Sequence, residues 1–306
     1  MSKALILLTG SSGQLGSAIQ HHWEGNQLKL NYELLPIDME ELDLTDEVSV
    51  RAFLDEVRPE IIINGAAYTD VDGAETDRDA AFAINAYAVL VLAEWCALNA
   101  GRLIQISTDF VFDGSESAPY LPRARMSPLS VYGASKMAGE NYVNEKLKDG
   151  GIIVRTSWLY SEFGSNFVKT MLRLMGERQE LRIVRDQIGS PTSAHTLTKF
   201  IFTLIDSGAN HGVFHWTDGA QISWLDFAQT IYDYGRDAGL LSHDVSIIPT
   251  TSAEYPTPAS RPAYSALNRC SSLALFSEQP LDWRGALKDV IDRLKYGNSD
   301  TGAGRQ

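Results

Sequence analysis

The feature that most constrains this chain is a glycine-rich stretch, TGSSGQLG, at residues 9–16, directly after the apolar run ALILL at 4–8. Gly10, Gly13 and Gly16 recur at a spacing of three, and a helix-like pattern follows them. A strand, a glycine turn and a helix in this order place unpaired N–H groups and a partial positive charge at the helix start, where a phosphate can bind. The spacing is one residue longer than that of the GxGxxG dinucleotide pattern, so an ordinary turn stays an alternative.

The first half of the chain alternates short apolar runs with helix-like patterns. The apolar runs lie at 4–8, 32–37, 60–64, 102–107 and 151–157, and the helix-like stretches at 13–23, 46–57, 77–100 and 133–148. Apolar strands that alternate with helices pair in parallel and carry helices on both faces of the sheet. We therefore expect an α/β protein with a doubly wound parallel sheet.

The second half is less regular. Its pattern predicts helices at 165–177, 194–206, 223–239 and 285–295, strands at 181–185 and 212–216, and a loop-rich section around Pro249, Pro256, Pro258 and Pro262. We predict a dinucleotide-binding domain over 1–157, to which 194–216 can return. A smaller substrate-binding part over 158–296 closes over it, and 297–306 is predicted to be a flexible tail.

Composition excludes several functional classes. The chain has 306 residues and a net charge of -13, which disfavours nucleic acid and anionic membrane surfaces as partners. Cys96 and Cys270 show neither a metal nor a redox spacing. No signal peptide is apparent, and no apolar run approaches the roughly 18 residues that span a bilayer. We expect a cytoplasmic protein without membrane or nucleic-acid partners.

The second apolar run ends at Asp38, roughly 20 residues after the glycines, where a carboxylate can accept hydrogen bonds from ribose hydroxyls. A carboxylate there repels a 2′-phosphate and favours NADH modestly. The alternative is a solvated loop acid. After the third run, Gly65, Ala66 and Ala67 are small enough for a flat ring to pass close to the backbone, or they serve only tight packing.

A candidate reacting group follows in SPLSVYGASKMAGE at 127–140. Tyr132 and Lys136 lie four residues apart and so share a helix face. A lysine ammonium beside a phenol lowers the pKa of the phenol, which can then pass a proton to a carbonyl oxygen. Thr108 ends the fourth apolar run, where parallel sheets bind ligands, and can polarise the same carbonyl. The alternatives are a surface helix pair and a strand-end cap.

Taken together, these motifs resemble the extended short-chain dehydrogenase/reductases, and within them the dTDP-4-dehydrorhamnose reductase family. The resemblance rests on TGSSGQLG, NGAAYTDVDGAE (64–75), STDFVFDG (107–114), PLSVYGASKMAGE (128–140), RTSWLYSEFGSNFVKTML (155–172), VRDQIGSPT (184–192) and RPAYSALN (261–268). It covers most of the chain.

The resemblance implies a Rossmann domain with a small substrate domain. It also implies that the enzyme reduces a dTDP-4-keto-6-deoxy sugar with NADPH or NADH and forms dTDP-L-rhamnose. It assigns Thr108, Tyr132 and Lys136 to catalysis, Gly10, Gly13, Gln14, Leu15, Gly16, Asp38, Asp43, Leu44, Ala66, Ala67, Tyr68, Tyr132 and Lys136 to the cofactor, and Asp109, Phe110, Trp158, Asn166 and Arg261 to the substrate. A monomer or homodimer is expected. No metal ligands are assigned, and a role for magnesium is not readable.

The chain departs from the family pattern at positions that concern the sugar. Phe110 replaces the usual tyrosine, Gly73 a lysine and Tyr264 an asparagine. Asn166 can also be a simple helix N-cap, and Arg261 a surface salt bridge. These departures leave the proton and hydride machinery intact but put the exact sugar in doubt.

Two competing functions stay open. One is a sugar-nucleotide dehydratase or epimerase on the same scaffold, although dehydratases of this type carry an Asp-Glu pair where this chain has Asp109 and Phe110. The other is a non-catalytic subunit, since the regulatory subunit of methionine adenosyltransferase resembles the same reductases.

Overall fold

The first half of the chain alternates strands and helices as the sequence predicts. In chain order its elements are β1 (Ala4–Thr9), α1 (Gln14–Trp23), β2 (Tyr32–Ile37), α2 (Glu47–Val57), β3 (Ile61–Asn64), α3 (Arg78–Phe82), α4 (Ala88–Asn99), β4 (Arg102–Thr108), α5 (Val131–Lys146) and β5 (Gly151–Thr156). The computed structural model of the protein describes residues 3–276 and 282–300, with side chains described up to residue 296.

The second half contains shorter strands between four long helices. Its elements are β6 (Leu159–Tyr160), α6 (Phe167–Glu177), β7 (Glu180–Val184), β8 (Ile188–Gly189), β9 (Thr192–Ser193), α7 (Ala194–Asp206), β10 (Gly212–His215), β11 (Ile222–Ser223), α8 (Trp224–Asp237), β12 (Ser246–Thr250), α9 (Cys270–Leu273) and α10 (Trp283–Asp300). Helix α10 runs past the predicted end at 295. The last part of the predicted tail, 301–306, lies outside the described residues.

Six parallel strands form the central sheet in the order β10-β5-β4-β3-β1-β2. The prediction of a doubly wound parallel sheet is confirmed. The strand order reverses beside β1, and a crevice at such a switch point is where open α/β sheets bind ligands. Buried hydrogen bonds join three neighbouring strands, because Thr9 donates to Asn64 at 2.6 Å and Asn64 donates to Gln105 at 2.7 Å.

Apolar side chains on the strands alternate between the two faces of the sheet. Ile6 and Leu8 point to one face, where Phe200 of α7 belongs to the same core. Leu7 points to the other face, together with Leu92 of α4. Successive strand residues face opposite ways, so a strand that is apolar throughout must be covered on both sides.

Residues 194–215 rejoin the sheet after the chain has left it. Strand β10 pairs in parallel with β5, and α7 packs beside α1 on one face. A separate apolar core lies between α6, α8 and α10, and includes Met171, Phe227 and Leu287. The second half of the chain therefore contributes both to the sheet and to a smaller body beside it.

Two local features differ from the sequence-based expectation. Strand β12 lies in the section predicted as loop and pairs with β7, and Pro249 is tolerated because this sheet has only two strands. The single helix predicted over 77–100 is interrupted by a π-helical turn at Ala83–Tyr87.

One helical stretch of the described residues, Arg78–Asn99, is long and apolar enough to cross a bilayer by length and composition alone. The expectation that no stretch reaches this length is therefore wrong by that criterion. Of its most apolar window, 56% is buried inside the protein. Its composition thus fits its position in the core on one face of the sheet, where Val89 and Leu92 are fully covered.

The core that α7 shares with the sheet predicts a large cost for removing Phe200. This side chain is fully buried and stacks on Trp216 with ring centroids 4.5 Å apart. Phe200→Ala is expected to lower the free energy of unfolding by about 3–5 kcal/mol, measured by urea denaturation. The exposed neighbour Lys199 provides the control, since Lys199→Ala should stay within about 0.5 kcal/mol of wild type. Equal losses for the two variants would contradict this packing.

Candidate active site

A cavity of about 920 Å³ opens at the carboxyl edge of the central sheet. Every site residue predicted from the sequence lines it. They are Gly10, Gly13, Gln14, Leu15, Gly16, Asp38, Asp43, Leu44, Ala66, Ala67, Tyr68, Thr108, Asp109, Phe110, Tyr132, Lys136, Trp158, Asn166 and Arg261. The volume lies at the upper end of what ligand sites usually enclose. Residues from five strand ends and from the second half of the chain therefore face one space.

The glycine turn between β1 and α1 forms the floor of the cavity. Gly10 has a φ of 65°, and a Cβ there would lie 2.7 Å from the backbone nitrogen of Ala66. A Cβ on Gly16 would collide with the Gly10 carbonyl oxygen. Gly13 is the N-cap of α1 and supplies no side-chain cap, so the first N–H groups of this helix are open to a ligand. Glycine is required by close backbone approach, and the turn suits a pyrophosphate.

Asp38 and Ser12 form the next part of the wall. The Asp38 carboxylate accepts hydrogen bonds from the Ser12 backbone N–H at 2.7 Å, from the Ser12 hydroxyl at 2.5 Å and from the Met39 N–H at 2.8 Å. Burial acts to raise the pKa of Asp38, but these hydrogen bonds outweigh it and lower the pKa. Asp38 is therefore an anion at neutral pH that can accept hydrogen bonds from hydroxyl groups.

Two further predicted cofactor regions are fixed by local hydrogen bonds. Asp43 accepts from the Thr45 N–H at 2.9 Å and the Thr45 hydroxyl at 2.7 Å, which lower its pKa, while Leu44 is buried beside the cavity. Asn85, in the π-helical turn, accepts from the Tyr68 N–H and donates to the Tyr68 carbonyl, both at 3.0 Å. Asn85 therefore fixes the loop that carries Ala66, Ala67 and Tyr68.

Thr108, Tyr132 and Lys136 meet where β4 ends beside the start of α5. Ser130 caps α5 by accepting from the Gly133 N–H at 3.1 Å, which places Tyr132 in the first turn and Lys136 in the second. The Tyr132 ring contacts Phe110 edge to face, with centroids 5.7 Å apart. Lys136 donates one hydrogen bond to the Ile106 carbonyl at 2.7 Å. The three side chains predicted to react are thus brought together.

Electrostatics at this point differ from the expectation that Lys136 lowers the pKa of Tyr132. Burial dominates and raises the pKa of Tyr132 to about 12, a hydrogen bond with Thr108 opposes it, and the Asp109 charge adds to it. Burial also lowers the pKa of Lys136 to about 8, and the Glu140 charge opposes this. The predicted lowering is wrong for this geometry, because burial of the phenol is the largest influence on its pKa.

The residues predicted to face a sugar nucleotide fall into two groups. Asp109 is buried, which raises its pKa to about 6, and Trp158 stacks on Trp224 with centroids 3.6 Å apart. Trp158 also has a φ of 47°, an unfavourable backbone conformation for a non-glycine residue. A Cβ on Gly189 would lie 2.6 Å from its ring. The aromatic wall is therefore rigidly held.

Asn166 and Arg261 line the cavity but have protein partners. Asn166 caps α6 by accepting from the Lys169 N–H at 3.1 Å, and it donates to the Gln14 side chain at 2.9 Å. Arg261 pairs with Asp72 through hydrogen bonds of 2.8 and 3.1 Å. Both arrangements match the structural alternatives considered from the sequence. A ligand would therefore meet groups that are already hydrogen-bonded.

Sequence reasoning missed Ser12 and Trp224 as lining residues. Ser12 lies inside the glycine-rich stretch after β1. This strand pairs with β2, which leads to Asp38, and that position could have identified Ser12. Trp224 begins α8, far from the other site residues in the chain, and only the packing of the second half brings it to Trp158.

Comparison with known proteins assigns the chain to a family. The sequence model described as the RmlD substrate binding domain matches residues 4–296. A dTDP-4-dehydrorhamnose reductase from Aggregatibacter actinomycetemcomitans is 38% identical over 292 residues, which cover 94% of this chain and 98% of that protein. The chain belongs to the dTDP-4-dehydrorhamnose reductase family.

Two further members of this group of relatives bear on the site. A dTDP-4-keto-6-deoxy-D-glucose reductase from Streptomyces niveus is 40% identical over 234 residues, covering 76% of this chain and 80% of that protein. The crystal structure of dTDP-4-dehydrorhamnose reductase from Bacillus anthracis str. Ames, in complex with NADP, superposes with a TM-score of 0.87 at 37% identity. That comparison covers 95% of this chain and 100% of the other.

The glycine turn predicts that a side chain at Gly13 blocks cofactor binding while the fold survives. The φ of Gly13 is -69°, which any residue adopts, and a Cβ there would lie 3.2 Å from the Gly10 carbonyl oxygen, a contact that a small shift of the turn relieves, so the variant should fold. Gly13→Val is expected to raise the Kd for NADH about tenfold or more by crowding the N–H groups of α1, as measured by fluorescence titration. Gly25→Val, at a position with open space around it, is the control. A Gly13→Val protein that binds NADH like wild type would refute the phosphate assignment.

Proposed function

We propose that this protein is an NAD(P)H-dependent reductase of a dTDP-4-keto-6-deoxy sugar, dTDP-4-dehydro-L-rhamnose, which it converts to dTDP-L-rhamnose. The observation that carries the proposal is the convergence of Thr108, Tyr132 and Lys136 on the cavity floored by the glycine turn. Membership of the reductase family and the names of its relatives support the substrate class.

The residues around the glycine turn fit a dinucleotide. The open N–H groups of α1 suit the pyrophosphate, and the turn that presents them needs glycine at Gly10 and Gly16, where a Cβ would collide with backbone atoms. Asp38 can accept hydrogen bonds from the ribose hydroxyls, and the small side chains of Ala66 and Ala67 leave room for flat rings. The related structure bound to NADP supports a nicotinamide cofactor.

The chemistry needs one hydride at the carbonyl carbon and one proton at its oxygen. A reduced nicotinamide, when bound, supplies the hydride. Tyr132 supplies the proton, since burial keeps its phenol protonated at neutral pH. Thr108 orients the keto oxygen by a hydrogen bond. Lys136 uses its remaining protons to hold a ribose hydroxyl and to stabilise the phenolate that is left.

The substrate lies between the end of β4 and the side of the cavity formed by the second half of the chain. Asp109, Phe110 and the Trp158 ring surround the sugar in this proposal. Arg261 is the candidate for the diphosphate, because it and Lys136 are the cations among the described lining residues. Arg261 would then give up part of its hydrogen bonding with Asp72 and donate to the phosphates instead. Asn166 acts mainly by holding Gln14 beside the glycine turn.

A related 4-keto-6-deoxy sugar is the second candidate substrate. The Streptomyces niveus relative is named for reduction of dTDP-4-keto-6-deoxy-D-glucose, and it is about as similar as the first relative. Phe110 also lacks the hydroxyl that the family pattern places there. Mixing the protein with each dTDP-4-keto sugar and NADH or NADPH, and following the loss of absorbance of the reduced nicotinamide, distinguishes the two. No turnover of either sugar would refute the proposed function.

Tyr132 gives the direct test of the proton donor. Tyr132→Phe removes only the hydroxyl and should lower kcat by roughly 10²–10⁴-fold, with little change in the Kd for the cofactor. The control is Tyr142→Phe, on the same helix and outside the described lining of the cavity. An unchanged kcat in Tyr132→Phe would remove this residue from the mechanism.

Asp38 predicts which cofactor is preferred. Its charge repels a 2′-phosphate, and neither cation of the described lining residues lies in the loop after β2, so NADH should be used better than NADPH. Asp38→Ala is expected to lower kcat/KM for NADH about tenfold and to raise the NADPH/NADH ratio. Glu40→Ala, an exposed acid in the same loop, is the control. A wild-type protein that prefers NADPH would contradict this role of Asp38.

A further inference from the structure

A buried ion pair lies directly behind the proposed catalytic residues. The Glu140 carboxylate accepts hydrogen bonds from Arg155 at 2.8 and 2.6 Å, and from the Ser107 hydroxyl at 2.5 Å. Glu140 is 0% and Arg155 2% exposed. Glu140 follows Lys136 by one helical turn, and Ser107 directly precedes Thr108. The pair therefore contacts both elements that carry the reacting side chains.

Arg155 uses its remaining donors to hold the segment that leads into α5. It donates to the Pro122 carbonyl at 2.9 Å, to the Met126 sulfur at 3.2 Å and to the His215 Nε2 at 3.3 Å. Its guanidinium also lies 5.1 Å from the Phe112 ring centroid. Burial lowers the pKa of His215 to about 3, so this ring is neutral. Glu140 is thus the anion that balances Arg155.

Stability alone is a weak explanation for charges at this place. Moving two ions out of water costs several kcal/mol each, and apolar replacements of buried pairs are often neutral or stabilising. The neighbourhood of Lys136 offers a reason for the pair. Burial disfavours its ammonium form and lowers its pKa to about 8, while the Glu140 charge acts in the opposite direction. Tyr132 lies on the same helix one turn before Lys136, Asp109 acts on Tyr132, and Arg155 on β5 pairs with Glu140.

We infer that Glu140 and Arg155 are positioning residues for the proposed reduction, an inference that rests on the proposed function. Arg155 fixes Glu140. Glu140 in turn holds Ser107, and with it Thr108, at a set position against α5, and it lies one helical turn from Lys136, whose ammonium form its charge favours. Neither Glu140 nor Arg155 belongs to the described lining of the cavity, so both act through their neighbours.

The test is the pH dependence of cofactor binding and turnover in Glu140→Gln. This variant keeps the shape of the side chain and removes its charge, which leaves the Arg155 cation unbalanced. The ammonium form of Lys136 is lost as pH rises through its pKa. The alkaline midpoint of NADH binding, and of kcat, should therefore move by about one pH unit or more to lower pH. An unmoved midpoint with wild-type kcat would overturn the inference.

Two further variants separate charge from geometry. Glu140→Asp keeps the charge but shortens the side chain, so its midpoint should stay near that of wild type while kcat falls. Ser107→Ala removes the hydrogen bond through which Glu140 holds the strand end that carries Thr108. It should lower kcat about tenfold without changing the Kd for NADH. If Glu140→Gln does not fold, Glu140→Asp and Ser107→Ala test the positioning role instead. A wild-type kcat in both variants would overturn the inference.

A matched control uses a buried carboxyl outside the described cavity lining. Asp218 accepts from the Ser193 N–H at 2.7 Å and from the Thr196 hydroxyl, and it is 1% exposed. Asp218→Asn should lower stability and leave the alkaline midpoint in place. If wild type binds NADH but turns over no dTDP-4-keto sugar, the proposed function fails. The pH at the alkaline midpoint of NADH binding by Glu140→Gln then still decides whether Glu140 influences the charge of Lys136.

Discussion

The parallel alignment of β1, β3 and β4 is the constraint on which the rest of this structure depends. Because the three strands run the same way, their carboxyl ends meet, and a buried ladder from Thr9 through Asn64 to Gln105 holds the ends together. The glycine turn and Ala66 then come so close that a Cβ at Gly10 does not fit. Each site residue takes its position from this edge.

Desolvation governs the chemistry at that edge. Burial holds the Tyr132 phenol in its acidic form and pushes Lys136 towards its neutral form, so the two groups do not simply assist one another. The charge that opposes the second effect comes from Glu140, itself balanced by Arg155. Four side chains on two elements, α5 and β5, are therefore buried together. Such burial is easier on rigid elements, and the proposed active centre accordingly lies on strand ends and a helix start.

Much of the fold and the membership of the site follow from local sequence. The alternation of apolar runs and helical patterns predicts the sheet, because each regular element is specified by residues within it. Strand β12 is not predicted in this way, because Pro249 and the prolines that follow the strand indicate a loop, and only pairing with β7 makes it a strand. Arg261 and Asn166 line the cavity, and their partners Asp72 and Gln14 lie far away in the chain. Partners at such separations leave no local pattern.

The sequence by itself determined the strand-turn-helix at the glycines, the helix face shared by Tyr132 and Lys136, and the strand end at Thr108, because each depends on neighbouring residues. Tertiary structure alone decided the ionisation of Tyr132, the stack of Trp158 on Trp224 and the burial of Glu140 against Arg155. Proton affinity depends on how much water surrounds a group and which charges face it. Those surroundings exist only once distant segments have packed together.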